Sequence, residues 1–208
     1  MVELGSPGDP SLVAGGEYLG EPYIAGVDEV GRGALFGPVV AAAVVLSPAA
    51  CDQLRRMGVT DSKRLSSRRR EQLVEPIQAL ARDYALGLGS IHDIERLNIL
   101  NATLLAMGRA IQRLSRSPTL CLVDGNRLIP DLGLPQQAVV QGDLKHMEIA
   151  AASILAKVWR DRLMVKLDQR YPGYGLAANK GYGSASHRQA IQAQGPSAQH
   201  RRSFKGCH

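Results

Sequence analysis

The chain has 208 residues, of which 45% are hydrophobic and 21% are charged, and its formal net charge at pH 7 is +6. This length suits one well-buried domain, and the three cysteines have no metal-type spacing, which argues against a disulfide framework and a zinc site. No apolar run reaches the roughly 20 residues of a membrane-spanning helix, and no secretory signal is apparent. We therefore expect a soluble, cytoplasmic protein, and the positive charge favours an anionic partner such as nucleic acid.

The first half of the chain predicts an antiparallel half-sheet that follows a loose leader. Residues 1–20 are rich in glycine and proline and lack periodicity, so we place the leader there and one domain over residues 21–208. Apolar runs at residues 23–27 and 39–46 predict two strands joined by a glycine-rich turn, and residues 84–91 predict a weaker third strand.

A helix is predicted between the second and third strands. Ser66 can cap this helix, which would run through Leu73 and Val74. Pro76 is expected to kink or break it, because proline has no backbone N–H and its ring crowds the preceding turn.

The second half of the chain predicts alternating helices and strands. Residues 99–114 have helical spacing and are followed by short strands at 119–123 and 138–140. A long helix is predicted over residues 148–167, and a short helix is expected near residues 186–194.

Carboxylates follow three of the predicted strands. Asp28 and Glu29 follow the first strand, Asp124 follows the fourth and Asp143 the fifth. If these strands are parallel, their carboxyl ends meet at one edge of the sheet and bring the acids together. Carboxylates about 4 Å apart repel by roughly 4 kcal/mol per pair at an effective dielectric near 20, so the cluster requires protons or cations.

Divalent cations would satisfy such a cluster at neutral pH. Hard oxygen ligands favour Mg²⁺, with Mn²⁺ as a substitute. Two such ions about 3.5 to 4 Å apart can activate a water and stabilise the departing oxygen of a phosphodiester. The sequence therefore predicts metal-dependent chemistry on a phosphodiester.

The acids also have structural interpretations. Asp28 and Glu29 could be turn residues, Asp124 could form a tight turn with Gly125, and Asp143 could cap the long helix while also binding metal. Two other functions would require different sequence features. A non-catalytic nucleic-acid-binding module would need basic patches but no acidic cluster. A small-molecule phosphotransferase would need a Gly-x-x-x-x-Gly-Lys-Ser/Thr pattern, which this chain lacks.

Seven ordered segments resemble bacterial ribonuclease HII, the type 2 ribonuclease H. They are residues 26–33 (GVDEVGRG), 60–63 (TDSK), 97–103 (LNILNAT), 123–127 (VDGNR), 142–143 (GD), 151–158 (AASILAKV) and 180–182 (KGY). The resemblance implies an α/β protein with a ribonuclease H-like fold. That fold is a mixed five-stranded sheet flanked by helices, with a helical C-terminal extension, and the catalytic domain would span residues 21–208.

The resemblance also implies an activity and a set of site residues. The activity is endonucleolytic hydrolysis of RNA in RNA–DNA hybrids and cleavage at ribonucleotides embedded in duplex DNA, with two Mg²⁺ or Mn²⁺ ions and 3'-hydroxyl and 5'-phosphate products. The implied catalytic and metal residues are Asp28, Glu29, Asp124 and Asp143. The implied substrate-binding residues are Gly31, Arg32 and Gly33, which read the 2'-hydroxyl, Tyr182, which packs on the adjacent sugar, and Lys63, which contacts phosphate.

Some residues leave alternatives open. Tyr182 could be a structural tyrosine and Lys63 an ordinary surface charge. Gln141, residues 144–147 and Asn179 depart from the family pattern, which affects local substrate contacts but not the reaction class. The sequence ends shortly after Phe204, so no partner tethered through a long C-terminal tail is predicted. We expect a monomer without an obligate protein partner.

Overall fold

A mixed five-stranded sheet forms the centre of the molecule. The structure is a computed structural model that describes residues 22–207, so the leader expected at residues 1–20 lies outside the described residues. The strands are β1 (Ile24–Val30), β2 (Val39–Val45), β3 (Asp83–Gly89), β4 (Leu120–Asp124) and β5 (Gln136–Val139). Their order is β3-β2-β1-β4-β5. The β1–β2 and β2–β3 pairs are antiparallel, as the sequence predicted. The β1–β4 and β4–β5 pairs are parallel, which meets the condition under which the acids were expected to come together.

Helices cover both faces of the sheet. They are α1 (Pro48–Arg56), α2 (Ser67–Leu80), α3 (Ile91–Gln112), α4 (Gly142–Lys145), α5 (Met147–Arg170), α6 (Leu176–Asn179) and α7 (Ala185–Gln194). Successive side chains of β2 point to opposite faces: Ala41 and Ala43 pack in the core with α3, while Ala42 and Val44 pack in the core with α1, α2 and α5. This two-sided burial explains why β2 is apolar throughout. None of the helices in the described residues has the length and hydropathy needed to cross a membrane.

Three local predictions need correction. The first strand does not end at residue 27, because its pairing with β2 continues to Val30, so Asp28 lies inside β1. The expected break at Pro76 is absent: α2 continues to Leu80, and its buried residues flank the proline on both sides. The helix predicted from residue 99 begins at Ile91 after a capping box, and Asn98, with a φ of 69°, marks a kink inside it.

Two further differences concern helix α1, which was not predicted, and the residue that precedes α5. We predicted no helix at residues 48–56, although Ser47 accepts a hydrogen bond from Ala50 N–H and Pro48 occupies the first turn, both common at helix starts. Asp143 does not cap the long helix, because it lies in α4 and the residue that precedes α5 is His146.

Close contact between β1 and α5 places the functional residues of both elements side by side. A Cβ at Gly26 would lie 2.3 Å from the carbonyl carbon of Glu148 and 2.4 Å from the nitrogen of Ile149. Only a residue without a side chain lets the first turn of α5 cross the strand at this distance.

Gly26→Ala should therefore destabilise the protein by about 1–3 kcal/mol or more, because backbone atoms of α5 must move to admit the methyl group. Urea unfolding monitored by circular dichroism measures the change. A variant with the same unfolding midpoint as the parent would show that β1 and α5 do not pack this closely.

Candidate functional site

Three carboxylates meet where β1 and β4 run side by side. Val27 of β1 pairs with Val123 of β4, so the residues that follow, Asp28 and Asp124, reach the same level of the sheet. One carboxylate oxygen from each of Asp28, Glu29 and Asp124 lies within 4.8 Å of the other two. The convergence of these three acids, which are up to 96 residues apart in the sequence, results from the parallel pairing.

Burial and mutual repulsion act on this group. Burial raises the pKa of Asp28 well above its usual range, and the charges of Glu29 and Asp124 add to the effect. Burial also raises the pKa of Glu29, which Arg32 opposes and Asp124 reinforces. A divalent cation would offset both the repulsion and the lost hydration, and three hard oxygen donors within reach of one point suit Mg²⁺ or Mn²⁺.

Asp143 lies beside this group but is not part of it. The Oδ1 atom of Asp124 accepts a 2.7 Å hydrogen bond from the N–H of Gly142, which ties the end of β4 to α4. Asp143 is the next residue and is partly buried. Burial raises its pKa, and the charges of Asp61 and Asp124 raise it further, so Asp143 lies in the field of the other acids. Its role as a metal ligand stays a prediction.

A cleft of about 360 Å³ opens over the three carboxylates. It is also lined by every residue for which the sequence predicted substrate binding, namely Gly31, Arg32, Gly33, Lys63 and Tyr182. Arg32 is exposed, and its guanidinium lies 3.5 Å from Glu29 Oε1. The structure thus brings these predicted residues to one surface, whereas Asp143 lines the neighbouring pocket.

Four further polar residues line the cleft without having been assigned a role from the sequence: Ser62, Arg70, Ser153 and Lys157. The hydroxyls of Ser62 and Ser153 lie 2.9 Å apart and join α5 to the short 3₁₀ turn that carries Lys63. Lys157 Nζ lies 5.6 Å from the ring centroid of Tyr182 and 2.8 Å from Asp161 Oδ1. The sequence contained a signal for two of these residues: Ser153 and Lys157 are four residues apart in the predicted long helix, so they share one of its faces.

Arg160, which is fully buried, supports both edges of the cleft. It donates hydrogen bonds to the carbonyls of Pro38, Phe36 and Lys180 at 2.8–3.1 Å, and its guanidinium carbon lies 5.5 Å from the Tyr182 ring centroid. It therefore joins the loop after β1 to the segment that carries Tyr182.

Arg201, near the C-terminal end of the described residues, also holds the loop after β1. It is fully buried and donates to the carbonyls of Arg32 and Gly37 at 2.8–2.9 Å. Burial lowers the pKa of Arg201 to about 9, with the charge of Arg160 adding to the effect, so the guanidinium remains charged at neutral pH. Within residues 22–207, neither Arg160 nor Arg201 forms an ion pair with a carboxylate, and carbonyl oxygens are the acceptors that hold them.

Comparisons with known proteins agree with this geometry. A family model described as ribonuclease HII matches residues 25–207. The chain is 62% identical to ribonuclease HII of Acaryochloris marina over 184 residues, which covers 88% of this chain and 93% of that protein. The ribonuclease H2 structure from Pyrococcus horikoshii OT3 superposes with a TM-score of 0.73 at 29% identity and covers 88% of this chain and 94% of that chain.

A third similarity concerns the fold alone. The Bst ribonuclease HIII structure, solved in complex with Mn²⁺, has a TM-score of 0.73 at 22% identity and covers 91% of this chain and 69% of that chain.

The loop after β1 provides a matched pair of substitutions. Gly31 has a φ of +93°, and a Cβ there would lie 2.3 Å from Arg160 Nε, whereas a Cβ at Gly33 would meet no atom within 4 Å. Gly31→Ala should lower the free energy of unfolding by about 1–3 kcal/mol, and Gly33→Ala by clearly less. Urea unfolding of both variants tests this, and equal losses would contradict the placement of Arg160 under Gly31.

The carboxylate group predicts a link between metal and stability. Without metal, Asp124→Asn should raise the melting temperature by about 2–4 °C, the shift that 1 kcal/mol gives in a domain of this size, because it removes repulsion yet keeps an acceptor for Gly142 N–H. Adding Mn²⁺ should raise the melting temperature of the parent but not of this variant. Asp131→Asn, at an exposed position, is the control and should keep the parental response. An unchanged Mn²⁺ response in Asp124→Asn would remove Asp124 from the metal site.

Proposed function

Since the chain belongs to the ribonuclease HII family and is an endoribonuclease, we propose that it cleaves RNA in RNA–DNA hybrids and also cuts duplex DNA at a single embedded ribonucleotide. The observation that carries the proposal is the shared cleft, in which three carboxylates lie next to Gly31, Gly33 and Tyr182. A group that can hold cations against a phosphate thus adjoins groups that can contact a ribose.

Asp28, Glu29 and Asp124 are the proposed ligands of two Mg²⁺ or Mn²⁺ ions, with Asp143 as a fourth. Ions of this kind, when bound, lower the pKa of an attacking water and stabilise the departing oxygen. The protein fixes where these charges sit. Asp124 is oriented by Gly142 N–H at 2.7 Å, and Asp28 accepts a 2.7 Å hydrogen bond from the N–H of Glu29.

The Gly31–Arg32–Gly33 segment is proposed to recognise the 2'-hydroxyl. Within residues 22–207, no hydrogen bond uses the backbone N–H groups of Arg32 or Gly33, so both remain available to a ligand. The carbonyl of Arg32 is held by Arg201, which fixes the peptide plane before a substrate arrives. A 2'-hydroxyl both donates and accepts, and it is the group that distinguishes RNA from DNA.

Tyr182 is proposed to pack on the sugar beside that hydroxyl. Its ring borders the cleft, with Lys157 Nζ and the Arg160 guanidinium carbon 5.6 and 5.5 Å from the ring centroid. Lys63 is exposed at the other rim, where its ammonium can approach a phosphate. Phosphate contacts of this type position a duplex without reading its base sequence.

The acidic group argues against the non-catalytic binding module. An anionic duplex would be repelled by three carboxylates at the base of its binding cleft unless cations were present. A protein that only binds nucleic acid gains nothing from that repulsion.

The decisive assay uses a DNA duplex that carries one ribonucleotide, with an all-DNA duplex as control, in Mg²⁺ or Mn²⁺ and in chelator. We expect metal-dependent cleavage of the first duplex alone. Asp124→Asn should lower cleavage at least about 100-fold, since each 1.4 kcal/mol of lost transition-state stabilisation costs tenfold, while duplex binding persists. Tyr182→Ala should cost about tenfold on the lone ribonucleotide, with the exposed Tyr84→Ala as control.

Two outcomes would contradict the proposal. Binding of the duplex without metal-dependent cleavage would favour the non-catalytic module. Parental activity of Tyr182→Ala on the lone ribonucleotide would remove this residue from its assigned role but leave the metal site in place.

A further inference from the structure

Two histidines are buried directly behind Tyr182. His187 lies in the first turn of α7 and His200 in the segment after that helix, and their exposed fractions are 0% and 1%. Their Nε2 atoms are 3.2 Å apart, within hydrogen-bond distance. His187 Nδ1 lies 2.9 Å from the carbonyl oxygen of Tyr182. None of the contacts assigned above to metal or substrate involves this pair.

The partners of the pair determine which nitrogen carries each proton. A carbonyl oxygen can only accept, so His187 Nδ1 must be the donor to Tyr182. A backbone N–H can only donate, so His200 Nδ1 must be the acceptor from Ser197 N–H, at 2.9 Å. The Ser197 hydroxyl, also 2.9 Å from this nitrogen, is then a second donor to it, because a hydroxyl can donate as well as accept.

Both rings are neutral at neutral pH. Burial lowers the pKa of each imidazole, and for His200, where the charge of His187 adds to burial, it falls to about 4. A neutral imidazole has one N–H, so His200 carries its proton on Nε2 and donates it to His187 Nε2. The hydrogen bonds therefore run in one direction, from Ser197 through His200 and His187 to the carbonyl of Tyr182.

This chain of hydrogen bonds ends at Tyr182, whose segment lies next to the loop that follows Gly33. Tyr182 forms an isolated antiparallel bridge with Ala34, and Phe36 forms another with His200. The rings of Phe36 and His200 meet edge to face with their centroids 4.9 Å apart. The histidine pair thus contacts both the segment that carries Tyr182 and the loop that follows Gly33.

We propose that His187 is a positioning residue for Tyr182, and that His200 acts through it by imposing the Nδ1–H tautomer on which the contact depends. The inference rests on the proposed function of Tyr182 as the residue that packs on the ribose. It assigns to the segment after α7 a part in catalysis, although that segment lies outside the cleft.

The tautomers can be measured in the unaltered protein. Long-range ¹⁵N–¹H correlation spectra at neutral pH should show His187 protonated on Nδ1 and His200 on Nε2, while exposed His92 should show the mixture of an unconstrained ring. The opposite tautomer at either buried ring would overturn the proposal. This measurement does not depend on nuclease activity, so it stands apart from the test of the proposed function.

Two substitutions at His187 separate positioning from packing. Asparagine places an amide N–H near the position of Nδ1 and can keep the bond to Tyr182, whereas glutamine places its amide near Nε2 and loses that bond. Glutamine fills more of the space left by the ring, so a packing role predicts that His187→Asn is the more impaired variant. Positioning predicts the reverse order for cleavage.

On a duplex with one ribonucleotide, His187→Gln should lower kcat/KM about 3- to 10-fold, the effect of one lost hydrogen bond, and His187→Asn less than about twofold. In a Tyr182→Ala background, His187→Gln should cost less than about twofold, because residues that act through one group are not additive. His92→Gln is the matched control. Greater loss in His187→Asn, or full additivity with Tyr182→Ala, would assign the pair to packing alone.

Discussion

The repulsion among three carboxylates at the junction of β1 and β4 is the constraint on which the rest of the site depends. Asp28, Glu29 and Asp124 are held within 4.8 Å, and burial raises the pKa of the first two, so the group is unfavourable unless cations or protons compensate it. The fold keeps these residues together in two ways. Gly26 lets α5 pack directly on one face of β1, and the apolar strand β2 pairs with β1 along one edge. The packing of the fold thus keeps the three carboxylates close together although their charges repel one another.

The other half of the site is maintained by buried cations instead of buried acids. Arg160 and Arg201 donate only to carbonyl oxygens within the described residues, and between them they hold the carbonyls of Arg32, Phe36, Gly37, Pro38 and Lys180. Leaving a buried charge without partners is costly, so each guanidinium keeps its loop in one conformation. The proposed recognition of a single hydroxyl would benefit from such a rigid loop, because its donors are then held in position before a substrate arrives.

Prediction from the sequence succeeded where chemistry or periodicity is local. The strands and the long helix followed from apolar spacing, and the acids near the strand ends were recognised from their neighbours along the chain, although Asp28 and Glu29 lie inside β1 and not after it. It failed where distant packing decides the outcome. Pro76 does not break α2, because buried residues on both sides hold the helix against the core. Asp143 lies in its own short helix beside Asp61, and the roles of Arg160 and Arg201 had no local signal, since an arginine in a helix or a tail reads as a surface charge.

The sequence by itself determined the family, the mixed sheet and the candidate residues for binding metal and ribose, because these follow from ordered motifs and from the chemistry of residues that are neighbours along the chain. Only the tertiary structure decided which acids meet, which cations are buried beneath the loop, and in which direction the hydrogen bonds run through His187 and His200. The physical reason is that distances between residues up to 169 positions apart, as for Arg201 and Arg32, depend on how strands pair and how the chain returns to the cleft. Those distances set both the electrostatics and the donor–acceptor pairing of the site.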